Sequence, residues 1–257
     1  MIAFIDGVFL KESEAKISIF DRGFLFGDGI FTTIQINDGV ANYLNEHLNR
    51  LTLQAQELKI QLPSFIKENF ELLIEKNKAY VGLYKARIIL TGGLDPYLGL
   101  PQRQGSVIMM LSKYEEPKIE SLKLALYQKP LNTPYMHLKT LSYLSRLHII
   151  GEAKERGFDD ALVLDKDGNI LESAVANVFW TYDNQFYTPI NTVNILNGIT
   201  LENAIHQAQK KGLKINKVKC TLDQIPEKAY IYITNSLKGV VSVSLIENKK
   251  FEISLFN

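Results

Sequence analysis

The sequence predicts a mixed α/β protein, α+β in arrangement, divided into two domains. Three observations carry that expectation. Helical and strand periodicities alternate in both halves, tight Asp-Gly turns recur, and a charged stretch holding Pro117 interrupts the pattern near the middle. At 257 residues the chain is long enough for two modest domains. The boundaries fall at 1–111 for an N-terminal α/β domain, 112–118 for a linker and 119–257 for a C-terminal domain.

Taken in order, "AFIDGVFL" reads as a hairpin turning at Asp6-Gly7, and "GIFTTIQINDGVANYL" repeats the pattern around Asn37-Asp38-Gly39. Leu44, Leu48, Leu51, Ala55 and Leu58 then recur at spacings of four, three, four and three, one face of an amphipathic helix with Asn45 as its N-cap. Residues 64–77 give a second helix, and "YKARIILTGG" is a strand running into glycines. Residues 92–105 form a long glycine- and proline-rich loop, a length that usually serves function. "VIMML" ends the first half. In the second half "LKLALYQ" is a strand and 141–156 a helix stopped by Gly157. "ALVLDKDGNILE" is a hairpin, 199–211 a helix ending near Gly212, and "AYIYITNS" a further strand.

Composition excludes several classes. A formal net charge of +1 provides no field for nucleic acid or an anionic membrane. The single cysteine, Cys220, allows no internal disulfide and fits a reducing compartment. No signal peptide is visible at the N-terminus, and no apolar run approaches the ~20 residues that span a bilayer, so a cytoplasmic location is expected. The four histidines lack paired ligand spacing, which argues against a metal. There is no G-x-S-x-G elbow, and "FGDGIF" lacks the G-x-G-x-x-G spacing of a dinucleotide turn.

Four features carry chemistry. Glu172 stands inside the small, apolar stretch "GNILESAVANVFW", where an acid needs a partner or solvent. Lys139, between apolar residues in "MHLKTLSYL", reads as the entrance to a helix; apolar burial would lower its pKa and let it act as a base or form Schiff bases. In "LNGITLENAI", Gly198, Ile199 and Thr200 open a helix whose free N–H groups favour an anion. "TNSLKG", residues 234–239, follows a strand and offers a second phosphate cradle or a plain turn.

The ordered set "FGDGIF", "EHLNRL", "KTLSYL", "ALVLDKDGNILESAVANVFW", "NGIT" and "TNSLKG" resembles the fold-type IV, or class IV aminotransferase, family of pyridoxal-phosphate enzymes. The resemblance runs nearly the whole length and is nearest to the aminodeoxychorismate lyase group. It implies a small N-terminal α/β sandwich, a larger C-terminal α/β pseudo-barrel that binds the cofactor, pyridoxal 5'-phosphate, and a homodimer. It implies that Lys139 bonds the cofactor covalently and that Arg50 holds its phosphate, together with Ile199, Thr200, Ser236 and the backbone of Leu237. Glu172 would meet the pyridine nitrogen, and Lys139 or Thr32 would assist the protonation that gives pyruvate.

The same comparison bears on substrate. The D-amino-acid aminotransferase pattern has a tyrosine at Phe31 and an arginine at Gly92, and both aminotransferase types carry a glutamate at Thr32. The lyase group has "FTT", as here, but commonly arginines where this chain has Gly92 and Tyr97, which leaves Arg103 of the same loop to meet substrate carboxylates. The implied reaction converts aminodeoxychorismate to 4-aminobenzoate and pyruvate. A D- or branched-chain amino-acid aminotransferase is the alternative, and a cofactor-binding protein with decayed chemistry a third reading, opposed by the presence of Lys139 and Glu172.

Overall fold

The computed structural model describes residues 1–94, 98–99, 103–129, 135–190 and 195–256. The chain divides into two compact units, Met1–Glu116 with Leu138–Tyr143, and Pro117–His137 with Leu144–Asn257.

In the first unit, β1 (Ile2–Ile5) and β2 (Val8–Lys11) form the expected hairpin. Asp6 and Gly7 take φ 46° and 94°, the left-handed pair that a two-residue turn matched to strand twist requires. A short helix α1 (Arg22–Phe26) is capped by Asp21, whose carboxylate accepts from the Gly23 and Phe24 N–H groups. Then follow β3 (Gly29–Asn37), β4 (Val40–Ala41), α2 (Leu44–Glu57), β5 (Ile60–Gln61), α3 (Ile66–Lys76), β6 (Leu83–Thr91), β7 (Arg103–Gln104) and β8 (Val107–Lys113). Six strands pair antiparallel in the order β2-β1-β8-β6-β3-β4, and β5 pairs with β7 in parallel. Alternate residues Ile30, Ile34 and Ile36 of β3 pack with Leu51 of α2 and Phe70 and Leu73 of α3. A strand's period of two puts Thr32 on that same face and turns Phe31 and Thr33 to the other.

Two local expectations are corrected. Helix α2 is preceded by Tyr43 in the left-handed region (φ 55°) with no side-chain cap, and Asn45 is already inside the helix. Lys139 does not stand at a helix entrance, because α4 (Leu144–Glu155) begins five residues later. Instead Phe31 N–H donates to the Lys139 carbonyl and Leu141 N–H to the Gly29 carbonyl, each at 2.9 Å, around an antiparallel bridge of Ile30 with Thr140. The N-terminal end of β3 has an open edge there, since β4 pairs only with residues 36 and 37. Segment 138–143 supplies the missing partners.

The second unit contains β9 (Leu122–Tyr127), α4, β10 (Asp160–Leu164), β11 (Ile170–Ser173), β12 (Asn177–Tyr182), β13 (Gln185–Pro189), α5 (Ile199–Lys210), β14 (Lys214–Val218), β15 (Tyr230–Asn235), β16 (Gly239–Ile246) and β17 (Lys249–Lys250). Its sheet runs β11-β10-β9-β16-β15-β12-β13-β14, with β17 against β16 and parallel pairs at β9–β10, β9–β16 and β13–β14. One face buries Leu124, Leu162, Val178, Ile231 and Val243. On the other, Phe179 stacks on Phe186 and Tyr232 at 4.5 and 4.9 Å beside α5 residues Leu201, Ala204 and Ile205.

Asp28, in the turn between α1 and β3, is gripped by two arginines. Its Oδ2 accepts from Arg22 Nε at 2.7 Å, and both its oxygens accept from Arg103 Nη2 at 2.8 Å. Arg103 Nη1 also donates to the Leu58 carbonyl at 3.1 Å. The two arginine side chains are 4% and 5% exposed. Removing one partner of a buried ion cluster leaves uncompensated charge, so Arg103→Leu should lower the unfolding free energy by about 3–5 kcal/mol, measured by urea denaturation.

Candidate active site

Helix α2 carries three polar side chains, His47, Arg50 and Gln54, at spacings of three and four, which place them along one face. All three meet β3 or the segment beside it. His47 Nδ1 lies 2.5 Å from Thr32 Oγ1, Arg50 Nη2 donates to the same oxygen at 3.1 Å, and the Lys139 N–H donates to Gln54 Oε1 at 3.2 Å. His47 and Thr32 are each 1% exposed; Arg50 and Lys139 are half-buried. Burial, with the Arg50 and Lys139 cations close by, pulls the His47 pKa from its ordinary 6.5 to about 3, so the imidazole is neutral at physiological pH. Burial lowers Arg50 to about 10, which leaves it a cation.

Lys139 Nζ lies 4.7 Å from the centroid of the Phe31 ring and 5.9 Å from that of Tyr143, the two rings meeting edge to face. Arg87 from β6 brings its guanidinium carbon to 5.4 Å from the same Phe31 ring. Arg87 is exposed and was not singled out in the sequence. The signal was a cation in the outward phase of a strand whose other phase, Ala86, Ile88 and Leu90, is buried. An exposed guanidinium within reach of an amine-bearing site suits a carboxylate. Arg103 does not, since Asp28 already holds it. A Cβ at Gly92 would meet Asp28 Oδ2 at 2.5 Å and Arg103 Nε at 3.0 Å, so a larger residue there requires the Asp28–Arg103 pair to shift. Tyr97 lies outside the described residues, as do 95–96 and 100–102 of the loop 92–105.

In the second unit, Glu172 of β11 is 2% exposed. It is ion-paired with Arg146 of α4, which the sequence reading passed over. Arg146 Nη2 donates to Glu172 Oε1 at 2.5 Å, while Nη1 donates to the Ala174 carbonyl at 2.8 Å. Glu172 Oε2 accepts from Leu196 N–H at 3.3 Å and Asn177 Nδ2 at 3.5 Å. Next to Glu172, Ser173 Oγ donates to Asp160 at 2.8 Å, and burial pushes that acid's pKa up.

Ile199 and Thr200 open the 12-residue helix α5, whose N-cap Gly198 provides no side-chain cap. A Cβ on Gly198 would collide with Asn177 Oδ1, so glycine is required for that amide to sit behind the helix start. Ser236 and Leu237 lie in the turn between β15 and β16. There the Leu237 and Lys238 N–H groups both donate to Asn235 Oδ1 at 3.0 Å, so the Leu237 amide already has an acceptor within the turn. Two residues before Ser236, Thr234 Oγ1 is buried with no hydrogen-bond partner among the described residues. Among those residues there is also no cluster of side chains suited to a metal, and no helix is long and apolar enough to cross a membrane.

The sequence pattern described as Amino-transferase class IV matches residues 29–246. The "Putative branched-chain-amino-acid aminotransferase" of Methanocaldococcus jannaschii is 30% identical over 256 residues, covering 97% of this chain and 89% of that one. The aminodeoxychorismate lyase of Bacillus subtilis is 27% identical, covering 96% and 87%. Among solved structures, the branched-chain aminotransferase of Thermoproteus uzoniensis with norvaline superimposes with a TM-score of 0.90 at 21% identity, covering 99% of this chain and 90% of that one. The chain belongs to the class IV aminotransferases, with the mixed α/β fold of the fold-type IV enzymes. Pyridoxal phosphate is the cofactor of this family, and each unit by itself holds groups whose chemistry suits it: an amine at Lys139 and a cation at Arg50 in the first, and a buried acid at Glu172, a helix start at Ile199 and a buried hydroxyl at Thr234 in the second.

The neutral state of His47 has a measurable consequence. The unfolded chain takes up a proton near pH 6.5 and the folded chain only near pH 3, so stability present above pH 6.5 is lost as the pH falls between those values. Against the non-titrating variant His47→Asn, the wild type should lose about 1.4 kcal/mol of relative stability between pH 7.5 and 5.5, read from denaturant curves at both pH values.

Proposed function

We propose that this enzyme is an aminodeoxychorismate lyase, releasing 4-aminobenzoate and pyruvate from 4-amino-4-deoxychorismate. The observation that carries the reading is the face around Phe31. It has no phenol at residue 31 and no arginine at residue 92, the two groups that trap an amino acid's α-carboxylate in the D-amino-acid aminotransferase pattern. Losing a fork-shaped cation and a phenol removes several kcal/mol of carboxylate recognition, on the order of 3 kcal/mol or more. What the face offers instead is an amine, Lys139, and an exposed guanidinium, Arg87, over one apolar ring.

In this reading Lys139, Arg50 and Glu172 hold the cofactor, with the α5 start and the Ser236–Leu237 turn on its phosphate. Pyridoxal phosphate supplies an electrophilic aldehyde and an electron-withdrawing ring. Glu172, paired with Arg146, would hold a proton at the ring nitrogen. Arg87 orients a substrate carboxylate. Lys139 takes the proton from the substrate carbon bearing nitrogen; the enolpyruvyl C–O bond breaks; and a proton returns to the enolpyruvate carbon to give pyruvate. The products together have the atoms of the substrate, so neither water nor an amino acceptor is consumed. Thr32, with its hydroxyl directed to His47 and Arg50, contributes through Arg50 and not by proton donation to substrate. A branched-chain aminotransferase is the second reading, favoured by the 30% identity to the archaeal relative.

Purified enzyme given aminodeoxychorismate alone should form 4-aminobenzoate and pyruvate in equal amounts. Glutamate from leucine and 2-oxoglutarate, without 4-aminobenzoate, would transfer the assignment to the second reading. Lys139→Ala should lose the visible absorbance of bound cofactor, and a variant that stays yellow would place the bond on another lysine.

A homodimer is part of the proposal. Ile17, Ile19, Phe20, Phe24, Leu25 and Phe26 form an exposed apolar run, with Phe20 and Phe24 each 71% exposed. An accumulation of that size marks an association surface, and a second copy is its proposed occupant. Sedimentation equilibrium should give a dimer, and the pair Phe20→Glu and Phe24→Glu a folded monomer.

A further inference from the structure

We propose that His47 and Thr32 act as positioning residues for Arg50, setting its guanidinium through a shared hydroxyl and thereby the enzyme's preference for a phosphorylated cofactor. This rests on the reading of Arg50 as the phosphate cation. Three facts support it. First, His47 and Arg50 are three residues apart on α2 and converge on one atom, Thr32 Oγ1, at 2.5 and 3.1 Å. Second, the direction of each hydrogen bond follows from the donors available. Arg50 can only donate, so Thr32 Oγ1 accepts from it; were His47 Nδ1 also to donate, the buried Thr32 hydrogen would need another acceptor. Donation from Thr32 to a neutral Nδ1 satisfies all three groups at once.

Third, neither polar residue is needed for packing. Thr32 shares its face of β3 with Ile30, Ile34 and Ile36, and His47 lies on the buried face of α2 with Leu51 and Ala55. Valine and leucine would fill such positions without desolvating polar groups. A long arginine side chain loses rotamer freedom when it binds an anion, and a fixed acceptor removes part of that cost beforehand. The neutral imidazole adds no charge of its own.

The test compares dissociation constants of the cofactor-free protein for pyridoxal 5'-phosphate and for pyridoxal, which lacks the phosphate, by absorbance titration. The ratio of the two constants reports the phosphate contribution alone. Thr32→Val and His47→Leu should each cut that ratio about tenfold while leaving pyridoxal affinity and cooperative unfolding as in the wild type. Thr32→Ser and His47→Asn, which restore a hydroxyl and an acceptor, should keep the wild-type ratio. Arg50→Ala is the control. If it collapses the ratio while Thr32→Val and His47→Leu do not, the positioning role is overturned and Arg50 keeps its assignment. If Arg50→Ala leaves the ratio unchanged, the phosphate reading of Arg50 falls and the positioning role with it. Equal losses of pyridoxal and pyridoxal phosphate affinity in Thr32→Val and His47→Leu would show a purely structural pair and also overturn the role.

Discussion

A carboxylate that is 2% exposed survives in a protein interior only with positive charge and hydrogen bonds around it, and Glu172 has both. Arg146 meets one oxygen at 2.5 Å while backbone and amide N–H groups meet the other. Arg146 also donates to the Ala174 carbonyl, so the cation clamps the end of β11 as well as the acid. Small residues at 173, 174 and 176 follow from this arrangement, because Ser173 and the backbone must reach Asp160 and Ala176 in a confined space.

The same constraint is met differently in the first unit. There the buried titratable group, His47, is kept neutral, and the cations Arg50 and Lys139 are left half-buried. A protonated His47 beside them would be a third positive charge in a desolvated site. Asp28 shows a third solution, one acid shared between two arginines, and its cost in space appears at Gly92, where a Cβ would displace that acid. The glycine that distinguishes this chain from the patterns it resembles is thus tied to where Arg103 lies.

Much of this was legible in the residues. Asp-Gly turns, the leucine spacing of α2, and glycines after α4 and α5 all mark local events, and local events depend on neighbours in sequence. Lys139 and Glu172 stood out as charges in apolar surroundings. What misled was also local. "KTLSYL" has no feature that distinguishes a helix entrance from a strand edge, and the open edge of β3 that it fills is more than a hundred residues away. Arg87 went unnoticed because an exposed arginine in a strand is ordinary until Phe31 is seen beneath it.

By itself, the sequence determined the alternation of helices and strands, the family, and which ionisable residues are out of place in their surroundings, because periodicity, turn chemistry and burial preference act over a few residues. Only the tertiary structure decided the partners: Arg146 for Glu172, Asp28 for Arg103, and the shared hydroxyl of Thr32 for His47 and Arg50. Each pairing joins elements 15 to 75 residues apart. A hydrogen bond or ion pair depends on ångström distances that chain folding sets and residue order does not encode locally.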